Sequence, residues 1–533
     1  MTGCGRRSCT IGVVAALILG TGSARAAEPL PPTVGRLDAE RGSLEREAAE
    51  AETGVAAMRR EASALESRRQ EMLRELAAEG AAIAEREREA QAAVDALRAR
   101  AAERGAEIEH VLRAGGLWVS FAADVAPLLR SRCVACHTAR EPGGGHVMTS
   151  HAALLADAGG GAAVVPGDVD SPLVRAVADG SMPKDGTPLS AAEVDLLRRW
   201  VALGARLDAG IAWSAALVRI MPRRRQPDAP AAYGAALAVS ALAFHPDGTR
   251  LASSGYHEVL VWSVPGGELL RRIGDVAERV GALAFHPDGR RLAVAAGTPG
   301  ILGDARLFDA DSGVAVADLG AADEAFAAVA FTADGTRLAV AGADPAVRLF
   351  ATDPVRAIGE HADHSDWVTG LAFSPDGRRL ASASRDKTAK VIDPLAGRLL
   401  TTFAGHQQPV RAVCWLPGGA LVATAGADGA VRIWEADSGK ETRRIGGFDT
   451  AVEALAAVGP DRIAAGDRSG TVRIHGLADG KTRATIGTGG SPVTALAVSP
   501  DGRTIAVGAL DGSITLAPAD GAGEPVRFRA APR

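Results

Sequence analysis

The C-terminal half of the chain repeats a turn motif of the form Phe-x-Pro-Asp-Gly at a nearly constant interval. Four copies are clear and three are weaker, at residues 244–248, 285–289, 331–335, 373–377, 415–419, 458–461 and 498–502. Their Pro-equivalent positions follow one another after 41, 46, 42, 42, 43 and 40 residues. Alternating apolar segments follow each copy, so every repeat predicts a small sheet of three to four strands. One such sheet cannot bury both its faces, and this half of the chain must therefore stack its repeats.

This period and these turns resemble WD40 repeats, seven of which close into a β-propeller, here over residues 237–530. The polar bracing of that family is matched most fully by Gly405, His406, Asp428 and Trp434. In other repeats, the turn position of Asp428 is occupied by Asp344, Asp386 and Asp511, and in one repeat Ser469 replaces the aspartate. The resemblance implies that these carboxylates hold turns together and that the propeller binds proteins. Either a strand before Leu237 or residues 525–528 would close the ring.

Residues 133–137 read Cys-Val-Ala-Cys-His, a spacing typical of covalent haem attachment. The thiols of Cys133 and Cys136 would add to the two haem vinyl groups, and the imidazole of His137 would then reach the iron. Because the tether leaves His137 little freedom, the spacing itself selects the proximal ligand. The pattern predicts one covalently bound haem c.

A zinc site and a thiol redox pair are the competing interpretations of this motif. Zinc would need four ligands, and Cys414, the remaining cysteine beyond the N-terminal segment, lies far away in a strand-like run. A redox pair of the thioredoxin type would belong to a βαβ unit, which the neighbouring sequence does not predict. Haem attachment is therefore the favoured interpretation.

Helical patterns flank the motif on both sides. Residues 121–130 predict a short amphipathic helix, and Ser190 with Glu193 forms a capping-box pattern. The helix that this box opens has an apolar face made of Val194, Leu197, Trp200 and Val201. Two helices around a haem loop resemble the small cytochrome c fold.

The order of short motifs in this segment resembles the planctomycete-type cytochrome c domain more closely still. Those motifs are Cys-x-x-Cys-His, Gly143–Gly145, Ala153–Leu155, Val165–Gly167, Ser171–Leu173, Met182-Pro183 and Leu189 to Trp200. The resemblance implies a small all-α cytochrome c domain over residues 116–209. A Pro- and Arg-rich linker, residues 210–236, would join it to the propeller.

Met182 is the predicted distal ligand of the iron. It lies in a loop rich in Gly and Pro, 45 residues after His137, and the family resemblance assigns the distal thioether to this Met-Pro step. Met148, His146 and His151 are rivals that follow the haem motif so closely that the loop would have to fold sharply. With both axial positions filled, no open position remains for a substrate, which favours electron transfer over oxygen activation.

Residues 1–26 have the features of a secretory signal peptide. Arg6 and Arg7 precede an apolar run from Ile11 to Leu19, and Ala24-Arg25-Ala26 offers a cleavage site. The run is too short to span a bilayer comfortably. The sequence therefore predicts a periplasmic or otherwise exported protein.

Residues 34–114 predict a long coiled-coil helix with good helix formers throughout. Apolar residues recur every seven positions in two series offset by four, which together form one stripe. The first series is Leu37, Leu44, Ala51, Met58, Leu65 and Met72, and the second includes Val55, Leu76, Ile83, Leu97 and Val111. A homo-oligomer through this stripe is expected, because a helix this long has no other place to bury it.

Composition agrees with a multidomain α + β chain, built from this helix, the all-α cytochrome c domain and the seven-bladed WD40 β-propeller. The 533 residues include 59 Lys and Arg against 64 Asp and Glu, which argues against a nucleic-acid-binding protein. The sequence predicts an exported monohaem cytochrome that passes electrons to a redox partner protein, while the propeller serves as a protein-interaction platform. It favours an electron carrier over an enzyme.

Two other functions remain open at this point. A haem-dependent oxidoreductase with a catalytic propeller would need a second cofactor, and the sequence shows no His, Cys or acidic constellation to hold one. His245 and His286 lie at repeat-turn positions, where variable polar residues are expected. A scaffold with a structural or sensory haem would instead leave the iron five-coordinate or responsive to gases.

Overall fold

The computed structural model describes residues 32–138, 143–157, 161–184, 186–223 and 225–532. They fall into two compact units, one ending at Glu103 and the other beginning at Arg104. The predicted signal peptide, residues 1–26, lies outside the described residues. Among the described helices, none is both long and apolar enough to cross a membrane.

The predicted long helix is confirmed as α1, Pro32–Ala114. Ion pairs one turn apart stabilise its surface, such as Arg36 with Glu40 at 3.1 Å. The apolar stripe is exposed: the exposed fractions of Leu37, Leu44, Met58, Leu65 and Met72 lie between 59% and 64%. Contacts among the described residues therefore do not bury this apolar stripe.

Residues 117–221 form short helices around one apolar core. They are a π-helical turn at Phe121–Val125, α2 at Ala126–Arg132, a 3-10 turn at Gly143–Gly145, α3 at His151–Leu155, α4 at Pro172–Ala178, α5 at Ala191–Ala202 and α6 at Leu217–Ile220. The predicted capping box is present, because Ser190 Oγ accepts from the Glu193 N–H and Glu193 accepts from the Ser190 N–H. Trp200 on the buried face of α5 stacks on Phe121, with ring centroids 5.2 Å apart.

Seven four-stranded antiparallel sheets make up the rest of the chain, confirming the predicted seven-bladed β-propeller. The first four blades are β1 Leu242–Phe244, β2 Arg250–Ser254, β3 Val259–Ser263 and β4 Leu269–Ile273; β5 Arg279–Phe285, β6 Arg291–Thr298, β7 Leu302–Asp309 and β8 Ala315–Ala322; β9 Phe326–Phe331, β10 Arg337–Gly342, β11 Val347–Thr352 and β12 Val355–His361; and β13 Val368–Phe373, β14 Leu380–Ser384, β15 Ala389–Asp393 and β16 Arg398–Phe403. The last three are β17 Val410–Trp415, β18 Leu421–Gly426, β19 Val431–Glu435 and β20 Glu441–Ile445; β21 Val452–Val458, β22 Arg462–Asp467, β23 Thr471–Gly476 and β24 Thr482–Gly487; and β25 Val493–Val498, β26 Thr504–Ala509, β27 Ser513–Pro518 and β28 Val526–Arg529.

The first strand of each blade lies innermost, since first strands of neighbouring blades contact one another around the ring. Each second strand carries a large aliphatic residue followed by Ala, and all fourteen side chains are completely buried. These pairs are Leu251-Ala252, Leu292-Ala293, Leu338-Ala339, Leu380-Ala381, Val422-Ala423, Ile463-Ala464 and Ile505-Ala506. Because side chains alternate between sheet faces, each pair covers both faces of its blade.

The repeated turn motif connects the first and second strands. In the first copy, Asp247 accepts a hydrogen bond of 2.8 Å from the Thr249 N–H, while Gly248 takes a φ of 73° that favours glycine. His245 donates from Nε2 to the carbonyl of Gly289 in the next blade, at 2.9 Å. His286 bonds in the same way to the following blade. These histidines therefore link blades.

The last blade supplies its own fourth strand, β28, which settles the open question of ring closure. Every blade is thus continuous in sequence, and the first and last blades meet through side chains and two hydrogen bonds. The Val239 N–H donates to Ala509, and the Thr494 hydroxyl donates to the Val239 carbonyl. The Phe528 ring lies against Trp262, with centroids 5.0 Å apart.

Replacing Phe528 by Ala should weaken this seam, because the Phe528 ring fills space between the first and last blades. We expect the free energy of unfolding of the propeller to fall by about 2 kcal/mol, measured by urea titration with circular dichroism. Val526→Ala is the matched control, since Val526 lies on the same strand with its side chain exposed. Equal losses in the two variants would contradict a seam role for Phe528.

Candidate functional site

The Cys133–His137 segment forms a tight turn directly after α2. The Cys133 N–H donates to Leu129 at 2.8 Å, and the N–H groups of Cys136 and His137 both donate to the Cys133 carbonyl at 3.2 Å. The Cys133 and Cys136 side chains are free thiols, the first half-buried and the second exposed. Both thiols and the imidazole therefore project from a single turn.

Burial raises the pKa of the Cys133 thiol to about 11, against a lowering effect of Arg132. Redox-active thiols of the Cys-x-x-Cys type have a lowered pKa, because the thiolate is the attacking species. The environment of Cys133 therefore does not favour the thiol redox interpretation.

His137 is buried, and its ring is held by the chain that follows. Its Nδ1 lies 3.1 Å from the carbonyl oxygen of His146. Since a carbonyl only accepts, Nδ1 carries the proton, and the lone pair at Nε2 is then available to a metal. The Met148 N–H donates to the His137 carbonyl at 2.9 Å, which fixes the backbone as well.

Because Gly143 has no side chain, the His137 ring can lie directly beside its Cα. A Cβ at residue 143 would lie 2.8 Å from the Cys136 carbonyl oxygen and 3.0 Å from His137 Cε1. Any larger side chain would displace the turn or the imidazole. The donor set and this close approach fit a haem tethered at Cys133 and Cys136 and ligated by His137.

Met182 lies on a different loop, after α4. Its N–H donates to Ala176 at 2.9 Å, and its half-buried side chain packs on the apolar core that Cys133 and Val134 also contact. The fold thus places Met182 and the Cys133–His137 turn beside one core. Its assignment as distal ligand stays a prediction.

The rival ligands have other surroundings. Met148 is buried in the same core, and His146 is half-buried, with its carbonyl accepting from His137. His151 Nε2 donates to the Ala205 carbonyl at 2.7 Å, and its ring lies edge-on to Phe121. Burial lowers the pKa of His151. A structural role in the core accounts for His151.

The sequence-based prediction named Gly143 as part of a family motif and His146 as a rival ligand, and it assigned neither residue its role in supporting the turn. Gly143 acts through lacking a side chain, and His146 acts through its carbonyl oxygen. Since every residue has a carbonyl, no residue type marks the second role. The Gly-rich run at residues 143–145 is the one signal that points to a close approach here.

Two buried His-Asp-hydroxyl arrangements occur in the fourth and fifth blades. His364 lies 2.8 Å from Asp386 and 2.7 Å from the Ser382 hydroxyl. His406, Asp428 and Thr424 repeat the arrangement. Although the first group resembles a Ser-His-Asp triad, the Ser382 side chain is buried and out of reach of a substrate. Both groups brace their blades.

These braces depend on protonation. Burial lowers the pKa of His364 and of His406. Burial alone would raise the pKa of Asp386, but hydrogen bonds from Thr388 and His364 outweigh it and bring that pKa to about 2. The folded propeller therefore holds neutral imidazoles beside an ionised carboxylate.

The described residues contain no group of three or more His, Cys, Asp and Glu side chains placed to hold a metal ion.

Together, the fold and the turn define a β-propeller protein with a Cys-x-x-Cys-His site in the helical region, residues 117–221. Residues 133–186 match the family model described as Planctomycete cytochrome C. Residues 233–263, 354–393, 397–435 and 480–516 match that of the WD domain, G-beta repeat. Both resemblances predicted from the sequence are thereby confirmed. No curated protein matches the chain.

Acid should weaken the braced blades. The lowered imidazole pKa contributes stability that is fully present above the ordinary value of 6.5 and is lost as the pH falls through the folded-state pKa. We expect the urea midpoint to decrease between pH 7 and pH 5, and to decrease less in the double variant His364→Gln/His406→Gln. His110→Gln, on the exposed surface of α1, is the control. An unchanged pH dependence in the double variant would contradict this role.

Proposed function

We propose that this protein is an exported, monohaem c-type cytochrome that transfers electrons and uses its propeller as a protein-interaction platform. The observation that carries the proposal is the turn that presents two thiols and an imidazole whose Nδ1 proton is held by His146. The family match over residues 133–186 supports the haem, and the WD40 repeats support the platform, because such propellers commonly mediate protein–protein interactions.

Four side chains would hold the haem. Cys133 and Cys136 would form the thioether tethers, and Nε2 of His137 and the thioether sulfur of Met182 would bind the iron. When bound, the haem would supply a one-electron carrier whose reduced state a thioether ligand favours. The His146 carbonyl keeps the His137 ring in one orientation. If two protein side chains bound the iron, no position would remain for a substrate, and the domain would suit an electron carrier better than an enzyme.

Export belongs to the same proposal. Bacterial c-type haem is attached outside the cytoplasm, and residues 1–26 read as a signal peptide. A redox partner protein in that compartment would exchange electrons with the haem.

Exchanging Met182 for Leu should open the distal position with little change in volume. We expect the purified wild type to show a low-spin c-type spectrum and not to bind carbon monoxide. The reduced Met182→Leu protein should bind carbon monoxide, which a shift of its Soret band would report. Met148→Leu, in the buried core, is the control.

A wild type that already binds carbon monoxide would contradict ligation by Met182, as would a Met148→Leu variant that gains binding. Denatured protein washed with acid-acetone must keep the mass of one haem, and Cys133→Ser/Cys136→Ser must lose it. A colourless wild type would refute the proposed function as a whole.

The exposed stripe of α1 supports self-association as a further part of this proposal. Leu65 and Met72 are spaced by seven residues and are 59% and 61% exposed. A second copy of the chain offers the same heptad spacing, which lets identical helices bury their stripes against each other as a coiled coil. The helix would then dimerise the protein and carry no chemistry.

Charges placed on this stripe should prevent association. We expect Leu65→Asp/Met72→Asp to sediment as a monomer under conditions in which the wild type sediments as an oligomer. Ser67→Asp adds a charge to the same helix away from the stripe and should leave the oligomer intact. A wild type that is monomeric at micromolar concentration would disprove the coiled coil.

A further inference from the structure

A groove of about 1410 Å³ lies between the helical region and the propeller. Val134 and Ala135 of the Cys133–His137 turn, called the attachment turn below, contribute to one wall together with Thr138, which directly follows the turn. The second to fourth blades form the other wall, which includes residues 300–302 at the tip of the β6–β7 hairpin and the partly exposed Trp367. An open space, instead of packed apolar side chains, thus separates much of the turn from the propeller.

Arginines of the helical region bridge this groove. Arg130 on α2 contacts the Asp323 carboxylate and the Ile301 carbonyl. Arg219 on α6 donates two parallel hydrogen bonds to Glu360, both of 2.8 Å. A paired geometry of this kind gives orientation as well as attraction.

Arg223, just after α6, completes the set. It contacts Asp304 on β7 and lies 2.6 Å from the Asp318 carboxylate on β8. All three cations thus belong to the helical side, and their carboxylate partners belong to the second and third blades or the turn between them. The two surfaces are complementary in charge.

The contacts of Arg130 and Arg219 lie where salt can reach them. The Glu360 and Asp323 side chains are 40% and 64% exposed. The hydrogen bond from Arg219 keeps the pKa of Glu360 below its ordinary value, so the carboxylate is ionised at neutral pH. Exposed ion pairs are screened by salt, because the Debye length falls from about 10 Å at 0.1 M to about 3 Å at 1 M.

We propose that Arg130, Arg219 and Arg223 form a salt-sensitive latch that docks the helical region on the second and third blades. When closed, the latch leaves the Val134–Ala135 edge of the attachment turn facing a groove that admits small molecules but not folded proteins. When open, it exposes this edge to a partner protein. The consequence for electron exchange rests on the proposed function, whereas the latch itself does not.

Trypsin can report the latch on the full-length protein, because it cleaves after arginine. Arg223 lies in the linker after α6, and its docked side chain is 27% exposed. Arg36, near the start of α1, is 82% exposed and pairs with Glu40 on the same helix, outside the latch. Cleavage after Arg36 therefore serves as an internal reference, and mass spectrometry distinguishes the two sets of fragments.

We expect the ratio of cleavage after Arg223 to cleavage after Arg36 to rise about fivefold between 0.05 M and 0.5 M NaCl. Glu360→Gln/Asp318→Asn, which removes a partner from each of Arg219 and Arg223, should show the high ratio already at low salt. Asp228→Asn is the matched control, because it removes the partner of Arg225 within the same linker. This control should keep the salt response of the wild type.

A ratio that stays constant up to 1 M NaCl in the wild type would overturn the latch. So would a double variant whose ratio matches the wild type at low salt. If the double variant is also cut within the propeller strands, it is unfolded, and the wild-type salt titration then decides alone.

The mass of one haem, measured on the same samples, separates the two proposals. Absence of that mass refutes the proposed function and leaves the trypsin result for the latch valid. A constant cleavage ratio in protein that carries the haem refutes the latch and leaves the cytochrome proposal standing.

Discussion

Each propeller blade has two faces to bury, and only its neighbours can cover them. The pair of a large aliphatic residue and Ala on every second strand meets this requirement, since one side chain points to each face and all are fully buried. Alanine on one face lets adjacent sheets approach closely, and the larger residue fills the space on the other. This explains how a chain with only 4% aromatic residues sustains a seven-bladed ring.

The repeat motif was sufficient to predict the blades, because a Pro-Asp-Gly turn leaves a recognisable trace in the sequence. The bracing inside the blades was less predictable. The fourth and fifth blades use His364–Asp386 and His406–Asp428, whereas other blades pair an arginine with a carboxylate. Those pairs are Arg306 with Asp275, Arg348 with Asp344 and Arg473 with Asp467, in the second, third and sixth blades. The first three strands of these same blades lie outside the segments matching the WD40 family model.

In the Cys133–His137 turn, too, some functional residues could be predicted from the sequence and others could not. Cys133, Cys136 and His137 are recognisable because the proposed haem attachment needs those side chains at that spacing. Gly143 and the His146 carbonyl orient the imidazole through an empty space and a backbone atom, which residue types do not encode. Strand β28 was one of two candidates for closing the ring, and the sequence could not select it because its four residues are too few for a clear alternating pattern.

The second and third blades, which depart from the family pattern, both contact the helical region. In the second blade, β6 and β7 are each eight residues long, and their hairpin tip reaches the groove. Asp304 on β7 serves two contacts at once, with Arg306 inside the blade and with Arg223 of the helical side. Asp304 thus connects the second blade to the helical side of the same chain. The fourth and fifth blades instead keep the His-Asp braces that match the family pattern.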